Sequence, residues 1–505
     1  MCSAENKNHD RFGISEAVFN YIHITFRHRF KFVLNYFIYS DIIITQIFQG
    51  VKKMKKIICI ILSVLFMLSV FAIPSSAKGD YVIDSPYKDV IWSGDSAWGA
   101  YKGNLHTHST VSDAEMDYNE MIIEHYKQGY DFLAMTDHAI TGKAWNEEPT
   151  HIPLYLYQYI IGNKTTKLTD EEFEGITSGT YPVDGEARGY GMTCVTGGNE
   201  LNGLTITKCH VNGMFLPGGT GNNHLGYEND HEGAVRLTDK AGGLSFINHP
   251  GDWLHSNRGR DIVNDPENVH YFSDIILKYD SCLGMEVFNE RNHVTPYDRE
   301  LWDNVLMECL PYGKKVIGFS NNDAHYESHV DSSYSVFMME ENNVENIKST
   351  MQSGAFFCVT RELRSDEKIG PEKDFDVRDT DIPIPAFTEL SVDGHKVTVK
   401  ARNCNKIQWI ANGNVVASKS VEQSENETEY VIDLDTIEGS EDFLYIRCEL
   451  FGEGGMTLSQ ALVIDNGTEP LTYVSDVTKK DSIWNRIKSL RIFVLIELII
   501  DKIKN

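Results

Sequence analysis

Two histidines spaced His-x-His, with a carboxylate five positions after the second, lie in Asn104–Asp113, which reads NLHTHSTVSD. Alternate residues of a strand point to one face, so His106 and His108 can aim both imidazoles at one ion. Asp113 would return from the following turn. A lone His-x-His is more often a structural or surface pair, so the weight comes from its partners downstream. Asp137-His138 closes a second apolar run, Glu200 ends GGNE, and His210 opens a strand of its own. His249 stands in Asn248-His249-Pro250, and Asp323-Ala324-His325 forms the last cluster. Singly, His249 could be a turn residue before proline and Glu200 a cap. Six histidines at strand ends, with Asp113, Glu200 and Asp323, are hard to read as coincidence. Zinc takes about four nitrogen, oxygen or sulfur ligands, and manganese or iron about six. Nine donors without a thiolate, one carboxylate being shared, imply two or three divalent ions (Mn, Fe or Zn). Multinuclear sites of this kind hydrolyse phosphate esters, generating hydroxide at neutral pH and offsetting charge on the phosphoryl oxygens.

The elements that must position these residues alternate. Strands are predicted at Phe132–Met135, Thr193–Thr196, His210–Leu216, Leu244–Asn248, Leu283–Phe288 and Val316–Ser320. Helical period covers Glu115–Gly129, Leu168–Glu174, Asp230–Lys240, Ser273–Tyr279 and Asp298–Leu310, and residues 140–190 read as an insertion. Strand–helix alternation predicts a parallel α/β architecture, and in a barrel-like α/β fold the active site is built where strands end. Residues 362–386 are charged and proline-containing and read as a linker. From 387 to 466 the period becomes two, with strands at Lys396–Ala401, Ile407–Ile410, Val415–Ser418, Tyr430–Leu434, Leu444–Leu450 and Ala461–Ile464. Asn412-Gly413 supplies a hairpin turn. About 80 residues of this kind predict a small β-sandwich serving packing or surface attachment.

The ends carry their own signals. Lys52, Lys53, Lys55 and Lys56 precede the apolar run Ile57–Ile73 and then PSSA, with Ser75 and Ala77 at −3 and −1 of a cleavage point. This is the layout of a signal peptide over 54–77. An uncleaved anchor is the competing reading, because 17 apolar residues are at the lower limit for a span. The expected location is secreted or cell-surface. Met54 would serve as initiator, which leaves residues 1–53 a doubtful upstream segment. The 505-residue chain has a net charge of −27. Residues 1–77 hold 9 Lys+Arg and 4 Asp+Glu, so residues 78–505 carry 37 against 69, a net of −32. Such acidity argues against nucleic acid as the main partner. Seven scattered cysteines lie beyond Ala77 without any C-x-x-C spacing. Most read as small buried residues, and Cys404–Cys448 is the one pairing weighed. Residues 482–505 could form an amphipathic helix for peripheral membrane contact, or for docking on this chain or a partner.

In this order, HTHSTVSD, FLAMTDH, GNE, His210, NHP and NNDAH resemble the motifs of the PHP (polymerase and histidinol phosphatase) family, over Lys102–Thr360. The segment IKSTMQSGAFFCVTR is similar to that family's closing helix–Gly–strand piece. Export and an added β domain resemble the CehA/McbA-like branch. The resemblance implies a distorted (β/α)7 TIM-like barrel over 100–361, followed by the β-sandwich. It also implies one ion on His106, His108, Glu200 and Asp323, and a second on Asp113, His138 and His249. A third would sit on Glu200, His210 and His325, with Asp137 fixing a ligand histidine from behind. Two departures stand out: the paired asparagines of SNNDAH, and Ala139 where many members have Asn. The expected activity is hydrolysis of a small-molecule phosphate ester. Asp323 would orient or deprotonate the water, and His249 or His325 would assist the leaving group. Arg291 is the expected phosphate contact, ahead of Lys208 and Arg258. Hydrolysis of a carbamate or carboxylic ester on the same metals is an alternative. A non-catalytic cell-surface binding protein is another, against which the intact ligand set argues.

Overall fold

The computed structural model describes residues 81–151, 165–202, 209–222, 230–290, 295–361 and 381–474. The expected signal segment, the upstream residues 1–53, most of the linker, the C-terminal helix, Lys208 and Arg291 lie outside them. Strands β1 (Val82–Asp84), β2 (Gly99–Asn104), β3 (Phe132–Ala134), β4 (Pro182–Val183), β5 (Glu186–Ala187), β6 (Thr193–Val195) and β7 (Asn199–Leu201) come first. Next are β8 (Val211–Met214), β9 (Leu244–Ile247), β10 (Cys282–Asn289), β11 (Ile317–Asn321), β12 (Ser333–Met339) and β13 (Phe356–Thr360). Helices α1 (Tyr118–Lys127), α2 (Asp170–Ser178), α3 (His231–Ala241), α4 (Pro250–Leu254), α5 (Pro266–Lys278), α6 (Asp298–Cys309) and α7 (Val344–Ser353) intervene. The chain then turns all-β, with β14 (Ala386–Asp393), β15 (Lys396–Arg402), β16 (Lys406–Ala411), β17 (Asn414–Ser420) and β18 (Thr428–Asp433). It closes with β19 (Tyr445–Gly452), β20 (Gly455–Leu458) and β21 (Leu462–Asp465).

The fold is mixed α/β, and it departs from a closed parallel ring. One sheet runs β1-β21-β19-β20-β13-β12-β2-β3-β6, with β16 and β17 branching from β19. A second runs β11-β10-β9-β8-β7, and β14-β15-β18 form a third. Isolated bridges, Thr107 to Ala324 and His138 to Glu200, join the first two sheets. Pairings β2–β3, β3–β6, β9–β10 and β10–β11 are parallel, whereas β7–β8, β8–β9 and β2–β12 are antiparallel. Apolar period reports burial and carries no strand direction, which explains the discrepancy.

Local chemistry sets where the short helices begin and stop. The Asp117 carboxylate accepts from the Tyr118 amide at the start of α1, and Thr169 with Glu172 forms a capping box on α2. Helices α3 and α7 end at Gly242 and Gly354, with φ of 75° and 77°, left-handed stops that a Cβ would strain. Phe246 stacks on Phe319 at 4.3 Å within the second sheet and Phe337 on Phe356 at 4.5 Å within the first, and Phe319 meets Phe356 across the two at 5.3 Å. Each fully buried ring of this size contributes roughly 1.5–3 kcal/mol. Strand β10 is buried along its whole length, which puts its polar members in the interior.

The C-terminal strands are joined to the α/β part by hydrogen bonds. Strand β20 pairs antiparallel with β13, Cys358 opposite Leu458 and Thr360 opposite Met456. Leu390, Val397 and Val399 pack with Trp409, Ile446, Leu450 and Leu462 in a second core. Arg447 of β19 is fully buried and grips Asp303 of α6 through Nε and Nη2 at 2.8 and 2.6 Å. Its Nη1 reaches Glu449 at 2.6 Å. Asn412 and Gly413 take φ of 45° and 71° in the β16–β17 turn, as the Asn-Gly pair predicts. No disulfide forms among the described cysteines, so Cys404 and Cys448 are not paired; both are buried. Among the described residues no helix is long and apolar enough to cross a membrane.

Candidate metal centre

The strand ends that the two bridges bring together carry the predicted donors. His106 and His108 follow β2, His138 follows β3, Glu200 lies in β7 and His210 precedes β8. His249 follows β9, and Asp323 and His325 follow β11. The backbone turns sharply there: Ala139, His249, Glu290 and Asp323 all have positive φ, between 25° and 53°. Non-glycine residues adopt such values at a cost of order 1–3 kcal/mol each, and functional sites are where they collect.

Glu200 is the hub. Its Oε1 lies 3.2 Å from His106 Nε2, 3.1 Å from His210 Nδ1 and 3.4 Å from His249 Nε2. Its Oε2 lies 3.0 Å from both His108 Nε2 and His138 Nδ1. Asp323 Oδ1 is 3.1 Å from His106 Nε2 and 3.0 Å from His108 Nε2, and those two nitrogens are 3.2 Å apart. The outer nitrogens are already engaged, His106 Nδ1 with Glu286 Oε1 at 2.9 Å and His108 Nδ1 with Ser112 Oγ at 3.3 Å. Both rings therefore turn their Nε2 atoms inward, towards a buried Asp323 oxygen that has no other hydrogen-bond partner. A tetrahedral ion with bonds of about 2.0–2.1 Å has ligand–ligand edges of about 3.3 Å. The spacing among His106, His108, Glu200 and Asp323 is close to that, and the donor set fits a divalent cation.

The nine expected donors converge, but they group differently from the expectation at two positions. His325 sits with Asp113, His138 and His108, its Nε2 3.6 Å from Asp113 Oδ1, while His138 Nε2 is 3.4 Å from Asp113 Oδ2. His249 instead faces His210 at 3.3 Å and Glu200. The exchange follows from chain geometry: His325 continues β11 beside the His108 turn, whereas His249 follows β9, next to β8. Asp137 does not hold a ring. Its Oδ1 accepts from the amides of Ser109 and Ser112 at 2.8 and 3.1 Å and from Ser112 Oγ at 2.8 Å, fastening the turn that delivers Asp113.

Sequence reasoning passed over several residues. Glu286, within β10, takes His106 Nδ1, the His249 amide (2.9 Å), Asn289 Nδ2 (2.8 Å) and Asn321 Nδ2 (2.9 Å). Its signal was a lone carboxylate inside the apolar run Met285–Phe288. Asn248 Nδ2 donates to Glu200 Oε1 at 2.7 Å. The paired asparagines also find their use. Asn321 Oδ1 accepts from the Leu105 amide at 2.9 Å, and Asn322 exchanges two bonds with Asn104 and meets His125 Nε2 at 2.8 Å.

Electrostatics describe a basket that demands positive charge. Burial alone would raise the Glu200 carboxyl, but His210, His138 and His106 outweigh it and hold it well below the ordinary range. Burial is outweighed in the same way at Asp113, chiefly by His138, and at Asp323, chiefly by His106. Burial would lower His106 and His138, yet the facing carboxylates push both well up, and His249 is pushed up to about 9. His210 goes the other way, lowered by burial and by its histidine neighbours against the pull of Glu200. Asp137, remote from solvent, is raised by burial. The donors open on a cleft of about 310 Å³, lined also by Asp252, Asn289 and Glu290. Among the described residues no lysine or arginine lines it. Arg258 is exposed and takes no part.

No family model matches the chain, and no curated protein matches it. Solved structures with a similar course of the chain include a two-domain protein from Bacteroides vulgatus containing a predicted PHP-like metal-dependent phosphoesterase. It is 15% identical over 74% of this chain and 99% of its own, with a TM-score of 0.36. The lesion-specific endonuclease PfuEndoQ from Pyrococcus furiosus is 15% identical over 50% of this chain and 56% of its own, with a TM-score of 0.27. A protein of Bifidobacterium adolescentis, described as a proposed metal-dependent phosphoesterase, is 13% identical over 46% of this chain and 90% of its own, at 0.27. Likeness at this distance carries no chemistry; the donor geometry does.

Proposed function

We propose that this chain is an exported metal-dependent phosphoesterase of the PHP type, acting on a small-molecule phosphate ester. The observation that carries the reading is Glu200, one buried carboxylate faced by five imidazoles within 3.4 Å. Only a shared ligand among two or three divalent ions makes sense of so many donors on one group. Such ions, when bound, supply Lewis acidity and an activated water for in-line displacement at phosphorus. His106, His108, Glu200 and Asp323 would hold one; Asp113, His138 and His325 a second; Glu200, His210 and His249 a third. Asp323 Oδ2, with Asn289 Nδ2 at 3.3 Å, is placed to orient the attacking water. His249 and His325 line the cleft as ligands, so the proton for the leaving oxygen would come from a water in the cleft. Carboxylates dominate the cleft, so an anionic ester would enter only after cations load it.

The PHP reading also proposes that the sheets through β2, β3, β6 and β7–β11 are arcs of one distorted (β/α)7 barrel with a β-sandwich behind it. The two bridges at the site support it. Export, and membership of the CehA/McbA-like branch, rest on the basic cluster, apolar run and PSSA before residue 78. Arg291 remains the proposed phosphate contact. The test is a panel of phosphate mono- and diesters beside carboxylic esters and carbamates, with bound metal quantified. Phosphate-ester turnover is expected, lost together with metal in His106→Ala and Asp323→Ala. Turnover of carboxylic esters or carbamates alone, or full activity in both variants, overturns it.

A further inference from the structure

Strand β10 brings two glutamates to the site, Glu286 inside it and Glu290 just past its end. Glu286 takes the Nδ1 proton of His106 at 2.9 Å, an arrangement that turns the opposite nitrogen towards an ion. Glu290 stands in the same relation to His325. Its Oε1 lies 3.3 Å from His325 Nδ1, and that nitrogen is also 2.8 Å from the Asp323 carbonyl oxygen. Two acceptors on one side require this nitrogen to carry the proton. Nε2, facing Asp113, is then the nitrogen left to an ion once its own proton is released. Behind Glu290, His329 Nδ1 lies 3.4 Å from the same Oε1. The φ of 41° at Glu290 is left-handed, a conformation that persists only where surroundings enforce it.

Glu290, His325 and His329 could instead be three donors to one more ion. His325 Nδ1 decides against that, since a ligand nitrogen would have to lose its proton and its bond to the Asp323 carbonyl. We infer that Glu290, backed by His329, is a positioning residue that sets the His325 tautomer for the ion held with Asp113 and His138. Glu286 does the same for the ion held by His106 and His108. One strand thereby orients histidines of two different ions. The inference rests on the metal-centre reading but not on which ester is hydrolysed.

The experiment counts Mn²⁺ retained by the loaded full chain across a graded chelator series, without substrate. Anomalous scattering from loaded crystals locates each ion, and thermal unfolding of the stripped variants checks the fold. Glu290→Gln is expected to lose the ion at Asp113, His138 and His325 at roughly 10–100-fold lower chelator than wild type, keeping the ion at His106 and His108. His329→Gln shifts the same ion by less, and Glu286→Gln reverses which ion leaves first. Wild-type retention in both Glu290→Gln and Glu290→Ala overturns the inference, as does equal loss from both groups. So does loss, in both Glu290→Gln and His329→Gln, of one extra ion at Glu290 while the Asp113 ion stays. A wild-type chain that binds no Mn²⁺ removes the metal centre itself, a different failure.

Discussion

Protons and cations compete for the same residues at the centre of this site. Without ions, His106, His138 and His325 are held above their ordinary range by the carboxylates they face, so each keeps a proton that a ligand nitrogen must give up. Loading at neutral pH is therefore expected to release protons, and affinity to fall as pH drops below 7. Calorimetry in two buffers of different ionisation enthalpy measures this; an absence of proton release would contradict it. Charge makes a second demand. Stripped of metal, the cleft presents Asp113, Glu200, Asp252, Glu290 and Asp323 to an entering anion. The stripped protein is expected to lose binding of inorganic phosphate altogether, and retained binding would mean that Arg291 or another cation does that work. The histidines were legible in the sequence because their spacing, H-x-H and D-x-H, has few other uses at strand ends. Glu286 and Glu290 were not, because a carboxylate in a string of letters does not announce that its strand is buried on both faces. The ion assigned to His249 and that assigned to His325 were exchanged for a related reason: chain order says which strand a residue ends, not which neighbour that strand meets.

At the scale of elements, α1 is pinned behind the site by a histidine that never touches it. His125 donates from Nδ1 to the Met121 carbonyl at 2.8 Å and meets Asn322 through Nε2, wholly buried. Burial lowers it from 6.5 to about 4. Above 6.5 it is neutral folded or unfolded and has no effect. Between 6.5 and 4 the unfolded chain takes a proton that the folded chain refuses, so stability is lost as pH falls through that window. The shift corresponds to about 3 kcal/mol at most. His125→Gln is expected to show a shallower loss of urea resistance between pH 6.5 and 4 than wild type; parallel curves would sink the assignment. Most strands and helices lie within a few residues of where apolar period places them, as at Phe132–Ala134 and Leu244–Ile247. Strands β7 and β20 escaped notice, being only three and four residues long. Strand β12, despite its seven residues, was hidden because SYSVFMM reads as a polar loop running into an apolar stretch.

At the scale of the molecule, the α/β part and the C-terminal strands are clamped together by Arg447, Asp303 and Glu449, all buried. Removing one partner leaves a charge with no solvent to stabilise it, a loss of about 3–5 kcal/mol. Asp303→Ala is expected to lower the urea midpoint accordingly, whereas Lys396→Ala, at an exposed pair, should leave it nearly unchanged. Equal effects would mean that the clamp is not what joins the halves. The change of period near residue 387 was legible, yet it predicted a separate sandwich because periodicity cannot reveal that β20 would choose β13 as its neighbour. That choice bears on descent. A domain hung on a linker can be traded between genes by recombination at the linker. Here a trade would strip β13 of its partner and bare a sheet edge that invites aggregation. The fold itself therefore disfavours an exchange of one half without the other.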